Sequence, residues 1–247
     1  MIIICWDYDG TLVSSENIYK NVFVKYLTEN NLIVNNIDDQ CYFSRYGGRH
    51  PFTIFNQLKS DGYIYKNAEL NKTKFFLAMQ KELNTTNNLL PTDQIDKVLE
   101  DVSKRKDVVM AIVTSTYRND LEAKHDNKSV SALKKYFTVE NNIYICGEIG
   151  NKELKPSPNG YIFAYNDIIK KNNILNTKNT LIMVEDSVSG CKSGRSAKHL
   201  LQDEVNSIVI GYMVANKYSK REELLEAGAD ITISTPQEMI NFIKSIN

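Results

Sequence analysis

Ile2-Ile3-Ile4-Cys5-Trp6-Asp7-Tyr8-Asp9-Gly10-Thr11 follows the first methionine of the chain. Five apolar residues in a row, with no polar residue at either alternate position, read as a strand buried on both faces, as in a parallel sheet covered by helices. The run stops on two aspartates separated by one residue. Ligands of open parallel sheets sit at the carboxyl ends of the strands, so Asp7 and Asp9 fall where chemistry is expected. Asp and Gly are also ordinary turn residues, and Asp9-Gly10 alone reads as a turn. Two carboxylates at this spacing nevertheless repel each other, and a cation or a shared proton is needed to offset that repulsion.

Working outward, further short apolar runs at 108–113, 143–146, 180–184, 207–211 and 231–233 repeat the buried-strand signature. Helical patterns lie between them. Ser157-Pro158 reads as an N-cap followed by a proline at the first helical position, opening a helix over 159–171. Thr235-Pro236-Gln237-Glu238 carries a capping box, so a last helix runs to about Ser245. This alternation predicts an α/β fold with a doubly wound, Rossmann-like parallel sheet. From Ser14 to Leu90 the alternation fails: Ile18, Val22, Tyr26 and Leu27 recur at helical spacing and no buried strand is readable. We therefore expect residues 1–13 and 91–247 to form the core domain and residues 14–90 a helical insertion after the first strand.

The 247 residues are enough to bury a sizeable core, and 42% hydrophobic with 24% charged residues excludes disordered and collagen-like classes. Thirty basic residues balance thirty acidic ones, so no net field favours nucleic acid or an anionic membrane. Cys5, Cys41, Cys146 and Cys191 form no paired spacing and read as reduced thiols. The opening apolar run is too short for a membrane span or leader, and a cytoplasmic location is the expectation.

Other predicted strand ends supply partners for the aspartates. Thr114-Ser115 offers hydroxyls that either cap a helix or donate to a phosphate oxygen. Lys155-Pro156-Ser157-Pro158 puts a cation ahead of a helix N-terminus, either as a solvated lysine or as part of an anion site. Glu185-Asp186-Ser187 is a second acidic pair at a strand end, readable also as a helix cap.

Taken in order, Asp7-x-Asp9-Gly10-Thr11, Thr114/Ser115, Lys155-Pro-x-Pro and Glu185-Asp186 resemble the haloacid dehalogenase superfamily. The position of the helical insertion is similar to that of its C1-capped branch, which includes phosphoglycolate phosphatases, sugar-phosphate phosphatases and β-phosphoglucomutases. The resemblance implies a phosphatase acting on a small phosphorylated metabolite, with Asp7 as nucleophile forming an aspartyl-phosphate and Asp9 as acid/base. It implies Mg²⁺ held by Asp7, the Asp9 backbone carbonyl, Asp186 and Glu185. It also implies phosphate binding by Thr114, Ser115, Lys155 and backbone N–H groups near Gly10. Asp9 would have to carry a proton near neutral pH, its pKa raised by the nearby carboxylates.

In the insertion, Arg45, Gly47, Gly48, Arg49 and His50 are the candidate substrate contacts, the alternative being a solvated loop. Similar β-phosphoglucomutases use a histidine to hold the acid/base aspartate back. Here Tyr19 stands in the matching region, so Asp9 is expected to be free to activate water, favouring a phosphatase over a mutase. The remaining alternatives are a phospho-receiver, a binding-only relative and a dehalogenase, and the assembly expected is a monomer or weak homodimer.

Overall fold

The computed structural model describes residues 1–46, 51–85, 89–137, 142–173, 179–215 and 220–246. The opening run is a strand, β1 (Ile2–Trp6), with every residue buried. A two-residue strand, β2 (Val13–Ser14), leads into four helices: α1 (Glu16–Glu29), α2 (Asp39–Arg45), α3 (Pro51–Ser60) and α4 (Lys72–Thr85). The chain returns through β3 (Leu90–Pro91), which pairs antiparallel with β2. These two-residue strands were not legible in the sequence, because two residues are too few to show alternation.

Then follow α5 (Ile95–Ser103), β4 (Val108–Thr114), α6 (Arg118–Asp126), β5 (Ile143–Ile145) and α7 (Asn159–Lys171). The chain closes with β6 (Thr180–Glu185), α8 (Val188–Leu200), β7 (Asn206–Tyr212), α9 (Arg221–Ala227), β8 (Ile231–Ile233) and α10 (Pro236–Ser245).

The large sheet has the order β5-β4-β1-β6-β7-β8 and is parallel throughout. Side chains alternate across it with period two. Ile3 and Cys5 pack with Tyr161, Ile168, Cys191 and Leu224 of α7, α8 and α9, whereas Ile4 and Trp6 pack with Val98, Leu99, Met239 and Ile243 of α5 and α10. This two-sided burial is why β1 has no polar residue. The expected doubly wound α/β fold is therefore the observed one. In the α1–α4 helices the Phe75 ring meets Phe23 and Tyr26 edge to face at 5.5 and 5.6 Å, in an apolar core continuous with Ile4 and Trp6 of the sheet. Among the described residues, no helix is long and apolar enough to cross a membrane.

From β1 the chain continues to β4 and β5 on one side, then crosses to β6 on the other. The direction of winding thus reverses beside β1, and the carboxyl ends of β1, β4 and β6 open on one crevice. Trp6 is level with Ile112 of β4 and Val184 of β6, which brings Asp7, Thr114, Glu185 and Asp186 to the same edge.

One capping expectation needs correction. Helix α7 begins at Asn159, its N-cap is Pro158, and no side chain caps it. Ser157 stands one residue before that cap; its hydroxyl donates to Glu153 Oε2 at 2.6 Å and accepts from Asn159 N at a long 3.4 Å. The capping box of α10 is present, with Thr235 Oγ1 accepting from Glu238 N and the Glu238 carboxylate accepting from Thr235 N. Replacing Thr235 by Ala is expected to lower stability by about 1 kcal/mol, read as an earlier urea midpoint at unchanged m-value.

Candidate active site

Asp7 leaves β1 with its backbone N–H donated to Val184 O at 2.9 Å, which fixes it against β6. Its Oδ1 accepts from Lys155 Nζ at 2.6 Å, and the same ammonium reaches Glu185 Oε1 at 2.7 Å and Val113 O at 2.6 Å. Lys155 is delivered by the loop after β5, and its backbone N–H donates to Ser115 Oγ at 3.0 Å. Ser115 thus anchors the lysine loop. Thr114 is buried and its Oγ1 accepts from Thr116 N at 3.1 Å.

Burial pushes the Asp7 carboxyl up, opposed by Lys155. Burial also pushes Glu185 up to about 7 against the pull of Lys155. For Lys155 burial acts to lower the pKa, yet Asp7 and Glu185 outweigh it and the ammonium is held well above its ordinary range.

Ser187 caps α8, accepting from Gly190 N at 3.0 Å, so the capping reading of this segment belongs to Ser187, while Asp186 lines the crevice and Glu185 is buried behind it. Asp7, Glu185 and Asp186 are all buried, and each offers a carboxylate oxygen within 4.8 Å of the others. Glu185 Oε1 accepts from the Tyr161 hydroxyl, but its Oε2 is buried without a hydrogen-bond partner. A buried charged oxygen without a donor is costly, and a hard divalent cation among these oxygens would satisfy it. The residues present therefore fit such an ion.

Two glycines make room for the cluster. A Cβ on Gly10, whose φ is +78°, would lie 2.1 Å from Asp186 Oδ2, and one on Gly190 would lie 1.7 Å from Glu185 Oε2. The backbone N–H of Gly10 itself donates to Val13 O at 2.8 Å, so it closes its own turn and is not offered to a phosphoryl oxygen, contrary to expectation.

Asp9 departs further from expectation. Lys124 Nζ of α6 contacts both its Oδ1 and Oδ2 at 2.6 Å, and the hydroxyls of Ser15 and Thr116 donate to Oδ1 and Oδ2. Burial acts to raise the Asp9 pKa, but Lys124 and the two hydroxyls outweigh it and hold the carboxyl below its ordinary value. The raised pKa expected from carboxylate repulsion is thus overturned, because a buried cation faces Asp9 more closely than the other acids do. Tyr19 lies beside the same ammonium, 4.7 Å from its ring centroid, and Asp9 is held where the sequence left it free.

These groups line a cavity of about 380 Å³ between the sheet edge and the insertion. Asp7, Asp9, Thr114, Ser115, Lys155 and Asp186 form its floor, and Phe23, Phe75, Phe76 and Met79 form part of its roof. Arg45 is not brought to it: its side chain is 60% exposed and lies 3.9 Å from Asp61. Gly47, Gly48, Arg49 and His50 lie outside the described residues.

Sequence reasoning missed Ser15, Thr116, Lys124 and Tyr161. Ser15 resembles a plain helix cap, and the only signal was that it, Thr116 and Lys124 follow the two hydroxyl- or acid-bearing strand ends within one or two turns.

Fold and site together define a doubly wound α/β protein with an aspartate, a lysine and an acidic pair at its switch point. The sequence model of haloacid dehalogenase-like hydrolases matches residues 4–199, and the chain belongs to that family. A conserved haloacid dehalogenase-like protein of unknown function from Agrobacterium tumefaciens superposes with a TM-score of 0.76 at 23% identity, covering 99% of this chain and 98% of that one. A hydrolase of the family from Deinococcus radiodurans, with bound phosphate and sodium, superposes with a TM-score of 0.67 at 20% identity over 96% and 92% of the two chains. For a putative beta-phosphoglucomutase from Thermotoga maritima the values are 0.68, 20%, 100% and 100%. One curated protein, described as chaperone SurA of Buchnera aphidicola, is 23% identical over 175 residues. The match takes in 70% of this chain, which spans 40% of the length of that protein, and at this level it assigns no activity.

The raised pKa of Glu185 has a consequence for stability. Its folded value of about 7 lies above its ordinary 4.5, so its contribution is fully present in acid and is lost as pH rises from about 4.5 to about 7. Asp7 acts in the same sense, whereas Asp9, held low, loses its contribution only in stronger acid. In chelator, Glu185→Gln is expected to flatten the pH 5–7 slope of unfolding free energy, measured by urea titration at stepped pH. An unchanged slope would contradict this origin.

Proposed function

We propose that this protein is a Mg²⁺-dependent phosphatase acting on a small phosphorylated metabolite through an aspartyl-phosphate on Asp7. The observation that carries this reading is the buried Asp7 carboxylate, joined to Lys155 and beside Glu185 and Asp186 at the one sheet edge where β1, β4 and β6 converge. Phosphate in the related Deinococcus radiodurans structure supports the ligand class.

An Asp7 carboxylate oxygen would attack phosphorus as the bond to the leaving oxygen breaks, and a proton on Asp9 would pass to that oxygen. Water would then attack the aspartyl-phosphate, giving a proton back to Asp9 and releasing Asp7 and phosphate. Lys124 favours the charged form of Asp9, which makes the protonated form a stronger acid. Lys155 and the Thr114 hydroxyl would meet the phosphoryl oxygens. Asp7, Glu185, Asp186 and the Asp9 carbonyl would hold the Mg²⁺, which when bound neutralises phosphoryl charge. Residues 14–90 would act as the cap over this site and residues 1–13 with 91–247 as its core, a division supported by the β2–β3 pairing at their junction. The aromatic roof would exclude water when closed over substrate.

A phosphomutase remains the second reading, since Asp9 is held by Lys124. Phosphate release from a panel of phosphorylated metabolites, set against isomer formation from β-glucose 1-phosphate with its bisphosphate, separates the two. Isomer without free phosphate would replace the phosphatase reading. Asp7→Asn, which keeps shape but removes the attacking charge, should lower phosphate release by about 10⁴-fold or more in a folded protein. Excess chelator should silence the wild type, with Mg²⁺ restoring it and Ca²⁺ failing to do so.

A further inference from the structure

Lys124 lies behind the cavity, against Asp9, and the chemistry above leaves open what its placement does for that carboxylate. Its side chain has 0% exposure, whereas Arg118 at the start of the same helix is 43% exposed. An ammonium taken out of water needs strong compensation. It finds this in both oxygens of Asp9 at 2.6 Å and in the ring of Tyr19, with the Tyr8 ring centroid at 5.7 Å. Asp120, one turn earlier on α6, is the other acid near it, and its own carboxyl is raised by burial. Two apolar side chains would fill such a space at less cost than a buried ion pair, so packing alone does not account for the pair. Asp9, moreover, remains 17% exposed and lines the cavity.

We infer that Lys124 is a positioning residue for the acid/base aspartate. Contact with both oxygens fixes the rotation of the Asp9 carboxylate about its Cβ–Cγ bond, which one donor would leave free. Ser15 and Thr116 complete the frame from two other segments, the start of α1 and the loop after β4. Lys124 meets Asp9 and the rings of Tyr8 and Tyr19, so it acts on the reaction through Asp9. The inference rests on the phosphatase reading.

An acid matters most where the leaving oxygen is basic, and this separates positioning from a general structural role. The test measures kcat and kcat/KM of wild type and Lys124→Met with Mg²⁺, using 4-nitrophenyl phosphate, whose leaving group needs no proton, and an alkyl phosphate, whose leaving group does. For the alkyl ester, kcat/KM should fall about 10²-fold or more. For the nitrophenyl ester kcat/KM should change less than about fivefold, while kcat falls because water must still be activated by Asp9. Lys124→Arg, which can also meet both oxygens, should recover part of the alkyl rate. Thr116→Val removes one donor from the same carboxylate, and should show the same selectivity in weaker form even if Lys124→Met does not fold. Equal losses of kcat/KM for the two esters, or no loss for either, would overturn the assignment. A wild type that releases phosphate from neither ester nor any metabolite would overturn the phosphatase reading itself.

Discussion

A single ammonium, Lys155 Nζ, lies within 2.7 Å of Asp7 and Glu185 and within hydrogen-bond distance of Val113 O, and the crevice is arranged around it. Burying two carboxylates side by side without this cation would leave like charges in a medium that screens them poorly. Even with it, burial prevails over attraction for both acids, and both are pushed up in pKa. The floor of the cavity is therefore short of positive charge by construction. A divalent ion among these oxygens would relieve that deficit and so make room for an anionic substrate.

Asp9 sits outside this arrangement although it is two residues from Asp7. Its charge is balanced by a different lysine from a different helix, with hydroxyls of its own. The two aspartates thus belong to two separate ion pairs, one facing the acidic cluster and one facing α6. Such a separation lets the two carboxyls move in opposite pKa directions, up for Asp7 and down for Asp9. Divergent environments of this kind are how neighbouring identical groups come to hold different tasks.

What the sequence made legible follows the geometry of strands. Asp7, Thr114 and Asp186 were readable because each stands at or just beyond the end of an apolar run, Lys155 because it precedes a helix start, and the sheet order does the rest. The fold class was readable for the same reason, in the unbroken burial of Ile2–Trp6 and the capping box at Thr235. Lys124 was not, since a lysine in a polar helical stretch looks like a solvated one, and its partner lies 115 positions away. Tyr161, bonded to Glu185, carries no local mark that separates it from the core residues Ala164 and Ile168 on the same helix. Pairings between elements distant in sequence are set by topology, and one chain read alone does not display them.

The pairing of Val13–Ser14 with Leu90–Pro91 pins together the two ends of everything between them. To the sheet, the α1–α4 segment is a closed excursion that leaves and returns at one point, and doubling the length of such a loop costs only about 0.6 kcal/mol in closure entropy. In closure entropy, therefore, residues can be inserted into its loops at little cost to the strands beneath. The part of the chain that covers the cavity is free to diversify, while the strand ends that carry the charges are held to their places by the register of the sheet.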